Sequence, residues 1–352
     1  MRIRVKVPAS SANLGCGFDA FALALALYSD FVFDIDRVDA SSFPLEVRGE
    51  GAEQLLAEKC RLFYNAVEVY ERFTGYKVPP FGLEIENRIP LGRGLGSSAT
   101  AIVGGLFGAD ALCRLAQTGP NFPARDQLVR LATEIEGHPD NVAATLLGGL
   151  TLAVSAPSPA PPYFTPDSPH SENEQVQLHS ELELDGIKNL DGGPAWRNPV
   201  VVAIPTPSNL TTVVFIPSFE MSTKEARAVL PPTISLQDAA HNSSRTALLV
   251  AAFTVPGGKL EWLAEAMNDR LHQPYRSQIF PQLPALIAAA QRAGAYGAAL
   301  SGAGSTVLAF VARERAASVR DAFVRVASEN GLRGRAEQLE IAPGGPTVGY
   351  EI

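Results

Sequence analysis

The sequence predicts an α/β protein of two lobes, and three features lead to that reading. Alternating apolar segments that read as strands take turns with amphipathic helical segments in both halves. The 352 residues exceed what one minimal core needs. A proline-rich stretch near the middle interrupts the pattern, so we place the lobes at residues 1–154 and 199–352, with an exposed insertion at 155–198 between them.

Residues 2–8 alternate basic and apolar side chains and lack the continuous apolar core of a signal peptide, so they read as a first strand. A turn and a run of small residues occupy 15–27, and 31–38 reads as a second strand. Residues 62–74 carry Leu62, Phe63, Ala66, Val67, Val69, Tyr70 and Phe73 at helical spacing. Residues 81–87 alternate as a strand that runs into Ile89 and Pro90. A helix should start at Ser97 or Ser98 and run towards Arg114, and another should fill 124–136, ending before Gly137 and Pro139. Pro157, Pro159, Pro161, Pro162, Pro166 and Pro169 then exclude a helix or central strand, which is why the insertion is assigned no chemistry. Beyond it, 200–204 and 211–216 read as strands, helices begin near Ser222, Asp238, Leu260 and Leu283, and 296–310 is a glycine-rich strand region.

Bulk properties exclude several functions. With 46% hydrophobic and 19% charged residues the chain is globular rather than disordered. A formal charge of −8, with no run of Lys or Arg, offers nothing to a nucleic-acid backbone. Cys16, Cys60 and Cys113 are widely spaced, with no CxxC and no His pair at ligand spacing, so neither a disulfide framework nor a zinc site is expected and a reducing cytoplasm fits. Residues 141–166 carry no charge, but their prolines and glycines would leave backbone groups unsatisfied in lipid, so no membrane partner is expected.

The chemistry concentrates in Pro90, Leu91, Gly92, Arg93, Gly94, Leu95, Gly96, Ser97, Ser98, Ala99 and Thr100, where three glycines and two serines open a helix. Glycines let backbone approach an anion, the helix start presents free N–H groups, and serine hydroxyls can bond phosphate oxygens or a metal. No lysine stands where a Walker A loop needs one, and no second strand with an acidic residue follows at dinucleotide-fold distance. This segment resembles the ATP-binding signature of the GHMP kinases. The resemblance implies ATP as phosphoryl donor, an N-terminal lobe like ribosomal protein S5 domain 2, and a ferredoxin-like C-terminal lobe.

Three further blocks resemble the homoserine-phosphorylating members of that family. The first runs from Pro8 through Asn13, Leu14, Gly15, Cys16, Gly17, Phe18 and Asp19, with Cys16 where the family has proline. Asn13 can donate and accept, and Asp19 can pair with an ammonium. The second is Glu134, Ile135, Glu136, Gly137, His138, Pro139, Asp140 and Asn141, titratable groups closing a helix. By resemblance Glu136 would hold Mg2+ with Ser98, and His138, Asp140 and Asn141 would line the substrate site. Glu134 competes for the metal role, but residues two apart on a helix face different ways, so one of the two should be dispensable, and Glu136 is favoured. Asp140 is the candidate base, and Asn141 stands where mevalonate-type kinases carry aspartate. The third comprises the stretches around Thr223 and Arg227, His241 to Arg245, and Pro274 to Arg276. Arg227 and Arg276 are the expected carboxylate ligands, Arg227 also a catalytic candidate, with Thr223 near the substrate hydroxyl. A late loop, Leu300 to Thr306, resembles the family's C-terminal glycine motif, with Ser305 in place of proline. The resemblance thus implies phosphorylation of L-homoserine, threonine biosynthesis and a homodimer. A GHMP kinase for another small alcohol and a catalytically silent metabolite-binding relative are the competing readings.

Overall fold

In the computed structural model, which describes residues 1–36, 44–116, 122–155 and 199–351, two antiparallel-dominated sheets stack with helices on their outer faces. The expected insertion lies outside the described residues except for Ser155.

The first sheet has the order β11(Thr347–Glu351), β1(Arg2–Ala12), β2(Phe21–Asp34), β4(Gly82–Asn87), β3(Leu45–Gly49), and β5(Leu150–Val154) and β6(Val200–Ile204) extend it from β2. β2 is shared along its length: Phe21 to Leu23 pair with β5, Asp30 to Asp34 with β4, and β1 runs beside it throughout. Pro8 sits inside β1 at a register shift against β2, where a residue without an N–H is tolerated. β3 and β4 are parallel, joined by α1(Ala52–Ala57) and α2(Arg61–Thr74).

α3(Ser97–Leu115) and α4(Arg125–Glu136) cover the same face as α2. Ile3, Val5, Phe31, Phe33, Leu83 and Ile85 from the sheet meet Phe63, Ile102 and Leu106 from the helices. α3 is apolar around most of its circumference because it lies in this core, although its length and composition alone would also suit a membrane span. Gly108 permits the close approach: a Cβ there would stand 1.8 Å from the Phe33 ring.

The second sheet has the order β10(Gly334–Leu339), β7(Leu210–Pro217), β9(Val307–Ala312), β8(Gly297–Leu300). α7(Leu236–Thr254) and α10(Leu283–Arg292) precede β8 and α11(Ala316–Glu329) precedes β10; with α10 and α11 packed together on the sheet, this is the β-α-β-β-α-β arrangement expected of a ferredoxin-like lobe. Successive residues of β7 face opposite ways. Val214 and Ile216 point into a core shared with Phe21, Leu23 and Leu25 of β2, whereas Val213 and Phe215 pack under α10 and α11.

Several expectations change. The second strand starts at Phe21 and ends at Asp34, so most of the small-residue run is sheet. Phe21 to Leu25 are buried on both faces, which removes the polar alternation that marks a strand. The acidic block after α4 does not simply close a helix: Asp140 opens a second one, α5(Asp140–Leu147). α6(Thr223–Ala228) and α7 begin close to the expected positions, while the helix near Leu260 is a 3-10 turn leading into α8(Leu263–Ala266). The sheets do not divide the chain at residue 199, since β6 and β11, both beyond it, belong to the first sheet.

Candidate active site

A cavity of about 220 Å3 opens where loops leaving the first sheet meet loops leaving the second. Gly92, Gly94, Gly96, Ser97 and Ser98 form one wall at the start of α3. Gly96 caps that helix at φ 70°, and a Cβ on it would fall 2.1 Å from Ser10 Oγ, so neither the conformation nor the space admits another residue cheaply. Ser10 N donates to Leu95 O (3.1 Å), Ser301 Oγ to Gly94 O (2.5 Å), and Met221 N to Gly92 O (2.9 Å), fixing the loop from both sheets. A helix of nineteen residues therefore points unpaired N–H groups into the cavity, an anion site by its geometry.

The rest of the glycine segment supports the loop instead of lining the cavity. Leu95 and Ala99 are buried in the cores, and Pro90 and Thr100 are buried too. Leu91 also lies off the cavity wall. Arg93 turns away to donate to Leu91 O, Pro217 O and Ser218 O and to pair with Glu220.

Opposite this wall lies the end of α4. Ser98 Oγ donates to Glu136 Oε2 at 2.6 Å. Burial pushes the Glu136 pKa up, against the charge of His138 and the Ser98 hydrogen bond. A carboxylate held that way is relieved by a cation. Glu134 does not line the cavity; its carboxylate lies 3.5 Å from Arg130 Nε.

His138 Nδ1 meets Asp140 Oδ1 at 2.7 Å, and the Asn141 amide donates to the same oxygen at 2.7 Å. Burial alone would lower the His138 pKa; the Asp140 bond and the charges of Asp140, Glu136 and Asp19 overcome it and hold the value up to about 9. His138 is therefore an imidazolium at neutral pH, donating to Asp140. Asn141 accepts from Ser10 Oγ at 2.9 Å.

The third wall combines the β1–β2 turn with α6 and α9(Gln273–Arg276). Asn13 uses its amide within the protein, donating to Gly302 O (2.9 Å) and accepting from Asp19 N (3.0 Å). Asp19 and Arg227, expected to meet opposite ends of a ligand, meet each other in a two-point ion pair of 2.9 and 3.2 Å. Arg276 is 2% exposed, yet lines the cavity. It donates to Ala226 O (3.1 Å) and Gly302 O (3.0 Å), and burial, with the charge of Arg227, lowers its pKa to about 10. Thr223 lies on this wall behind Ser222, whose hydroxyl caps α6.

Two residues were given no role from the sequence. The Phe18 ring is near both guanidinium groups, with its centroid 5.7 Å from Arg227 Cζ and 5.5 Å from Arg276 Cζ. His272, buried beneath Arg276, belongs to no motif and only the fold brings it there.

Comparison with known proteins agrees with this architecture. The family model described as GHMP kinases N terminal domain matches residues 61–149, and that described as GHMP kinases C terminal matches residues 248–328. The chain is 42% identical to a homoserine kinase of Synechococcus sp., covering 100% of this chain and 99% of the relative. It is 38% identical to a homoserine kinase of Synechocystis sp., covering 98% and 97%. The crystal structure of homoserine kinase from Cytophaga hutchinsonii superimposes with a TM-score of 0.74 at 25% identity, covering 99% of this chain and 97% of that one.

Proposed function

The chain belongs to the homoserine kinases of the GHMP kinase family, and we propose that it transfers the γ-phosphoryl group of ATP to the side-chain hydroxyl of L-homoserine. The products are O-phospho-L-homoserine and ADP. The reading extends to threonine biosynthesis as the use of that product, the cytoplasm as compartment and a homodimer as assembly.

One observation carries the assignment: a helix start built for phosphates shares a single cavity with both charge types that an α-amino acid requires. ATP phosphates lie along Gly92 to Ser98, on the amides of α3. The Asp19–Arg227 pair marks the amino-acid end. A zwitterion can replace each partner of that pair for the other, its ammonium taking Asp19 and its carboxylate taking Arg227. Arg276 supplies a second guanidinium at the same wall, with no carboxylate hydrogen-bonded to it among the described residues. Asn13, His138 and Thr223 close the space around the ligand, with Thr223 nearest the reacting hydroxyl.

Ser98 and Glu136 fit Mg2+ by their chemistry, since both offer hard oxygen donors and the ion needs only one or two carboxylates beside the phosphates. When bound it neutralises charge on the transferring group. Transfer then depends on alignment and on charge supplied by Arg227 and the α3 amides. We assign Asp140, kept in place by His138 and backed by Asn141, to receive the hydroxyl proton.

A coupled ADP-release assay with Mg-ATP tests the proposal on a panel of L-homoserine, L-serine, L-threonine, mevalonate and galactose. Release specific to L-homoserine is expected. Release with a different alcohol would sink the substrate assignment, and ATP binding without any release would sink the enzymatic one.

A further inference from the structure

We infer that His272 is a positioning residue for the reaction, setting the Arg276 guanidinium at the cavity and tying it to the turn that carries Asp19. The inference rests on Arg276 binding the substrate carboxylate. His272 is completely buried and touches neither the phosphate loop nor the proposed metal ligands.

Its bonds define one tautomer. Nε2 lies 2.8 Å from Gly15 O, a pure acceptor, so Nε2 carries the hydrogen. Nδ1 lies 3.2 Å from Arg276 Nη1, a pure donor, so Nδ1 must be the bare nitrogen. A second proton would point at a guanidinium. The surroundings keep it off: burial pushes the His272 pKa down to about 4, against the pull of Asp269 and with the help of Arg276.

Asp269 anchors the arrangement from the other side. Its carboxylate accepts from Asn242 Nδ2 (2.8 Å) and from the backbone amides of Leu271, His272 and Gln273 (2.9, 2.9 and 2.7 Å). These bonds fix the backbone at His272, and Asp269 Oδ2 also approaches Nε2 at 3.5 Å. The His272 ring then stacks on Phe18 at 5.3 Å between centroids. Phe18 adjoins Asp19, so one imidazole connects the buried arginine to the turn that presents the ammonium ligand. Without it, Arg276 keeps two carbonyl bonds but loses the contact that sets its rotation.

The experiment measures homoserine KM, ATP KM and kcat for His272→Leu and His272→Gln, and compares kcat/KM for L-homoserine with that for 3-aminopropan-1-ol, which lacks the carboxylate. Loss of a buried hydrogen bond to a charged group predicts a rise of about tenfold or more in homoserine KM for His272→Leu. ATP KM should hold, and the preference for the carboxylate-bearing substrate should shrink by the same factor. His272→Gln, which can accept from Arg276 while donating to Gly15, should recover most of it. Unchanged homoserine KM and preference in His272→Leu, or a glutamine variant as impaired as the leucine one, would overturn the inference. Should the leucine variant not fold, His272→Asn replaces it: too short to reach both partners, it should show the same loss, and wild-type values would overturn the idea. Arg276→Met separates the two layers. If that change leaves the preference intact, the carboxylate assignment itself fails; if it abolishes the preference and His272 variants do not weaken it, only the positioning role fails.

Discussion

Ser98 Oγ donates to Glu136 Oε2 across 2.6 Å, joining the first turn of one helix to the last residue of the next. Glu134, two residues away, turns to Arg130. The pair of glutamates therefore separates by substitution. Glu136→Gln should keep the hydrogen bond to Ser98 and the fold but lower kcat by about 10²-fold or more, the scale on which removing a stabiliser of developing charge acts. Glu134→Ala should stay within about threefold of wild type in kcat, because its half-buried carboxylate faces Arg130 and not the cavity. Mg-ATP titrations of ADP release check both.

The Asp19–Arg227 pair gives a second prediction. Both side chains are more than a third exposed, at 36% and 39%, so the pair adds little stability in solvent. Arg227→Met should leave the thermal midpoint within a few degrees and raise homoserine KM by roughly tenfold, with kcat reduced as well. Equal losses in homoserine and ATP KM would point to a collapsed cavity instead of a missing ligand.

Acidification should weaken the protein through His272. The unfolded chain takes up this proton below about pH 6.5, the folded chain only near 4. Stability from this group is complete above pH ~6.5 and is lost as pH falls towards 4, at up to about 1.4 kcal/mol per pH unit. Thermal midpoints measured between pH 4 and 7 should fall more steeply for wild type than for His272→Gln. Parallel slopes would count against a neutral buried imidazole.

The thiols should be silent in the native state. All three cysteines are buried and none forms a disulfide. Burial raises Cys16 to about 11, with Thr246 nearby pulling weakly the other way, and raises Cys60 to about 11. Thiolate is thus scarce at pH 7, and a disulfide-exchange reagent should label no cysteine quickly in folded protein and three after denaturation. Rapid native labelling at Cys16 would show that the turn opens.

Reading the sequence found segments that line the cavity where the chemistry is local. The loop from Pro90 to Thr100, the Asn13–Asp19 turn and the Glu136–Asn141 block are each contiguous, so their donors and acceptors can be read in order. It failed where distance along the chain matters. Nothing adjacent to Asp19 announces that Arg227 will pair with it, and nothing around His272 announces Gly15. The same cause hid the sheet edges: β6 and β11 join strands formed much earlier in the chain. Arg93 entered the expected phosphate site only as a member of the contiguous loop, and its partners, two of the three carbonyls and Glu220, lie far along the chain.

β11 closes on β1, and Arg4 bonds Glu351 across 347 positions of sequence. During synthesis at the ribosome, β1 must therefore wait with one edge unpaired until residues 347–351 are made. α3, whose start forms the phosphate loop's wall, packs on β1. Nascent chains arrested before residue 347 should thus be poor ATP binders and good chaperone clients, with competence arriving only when β11 clears the exit tunnel.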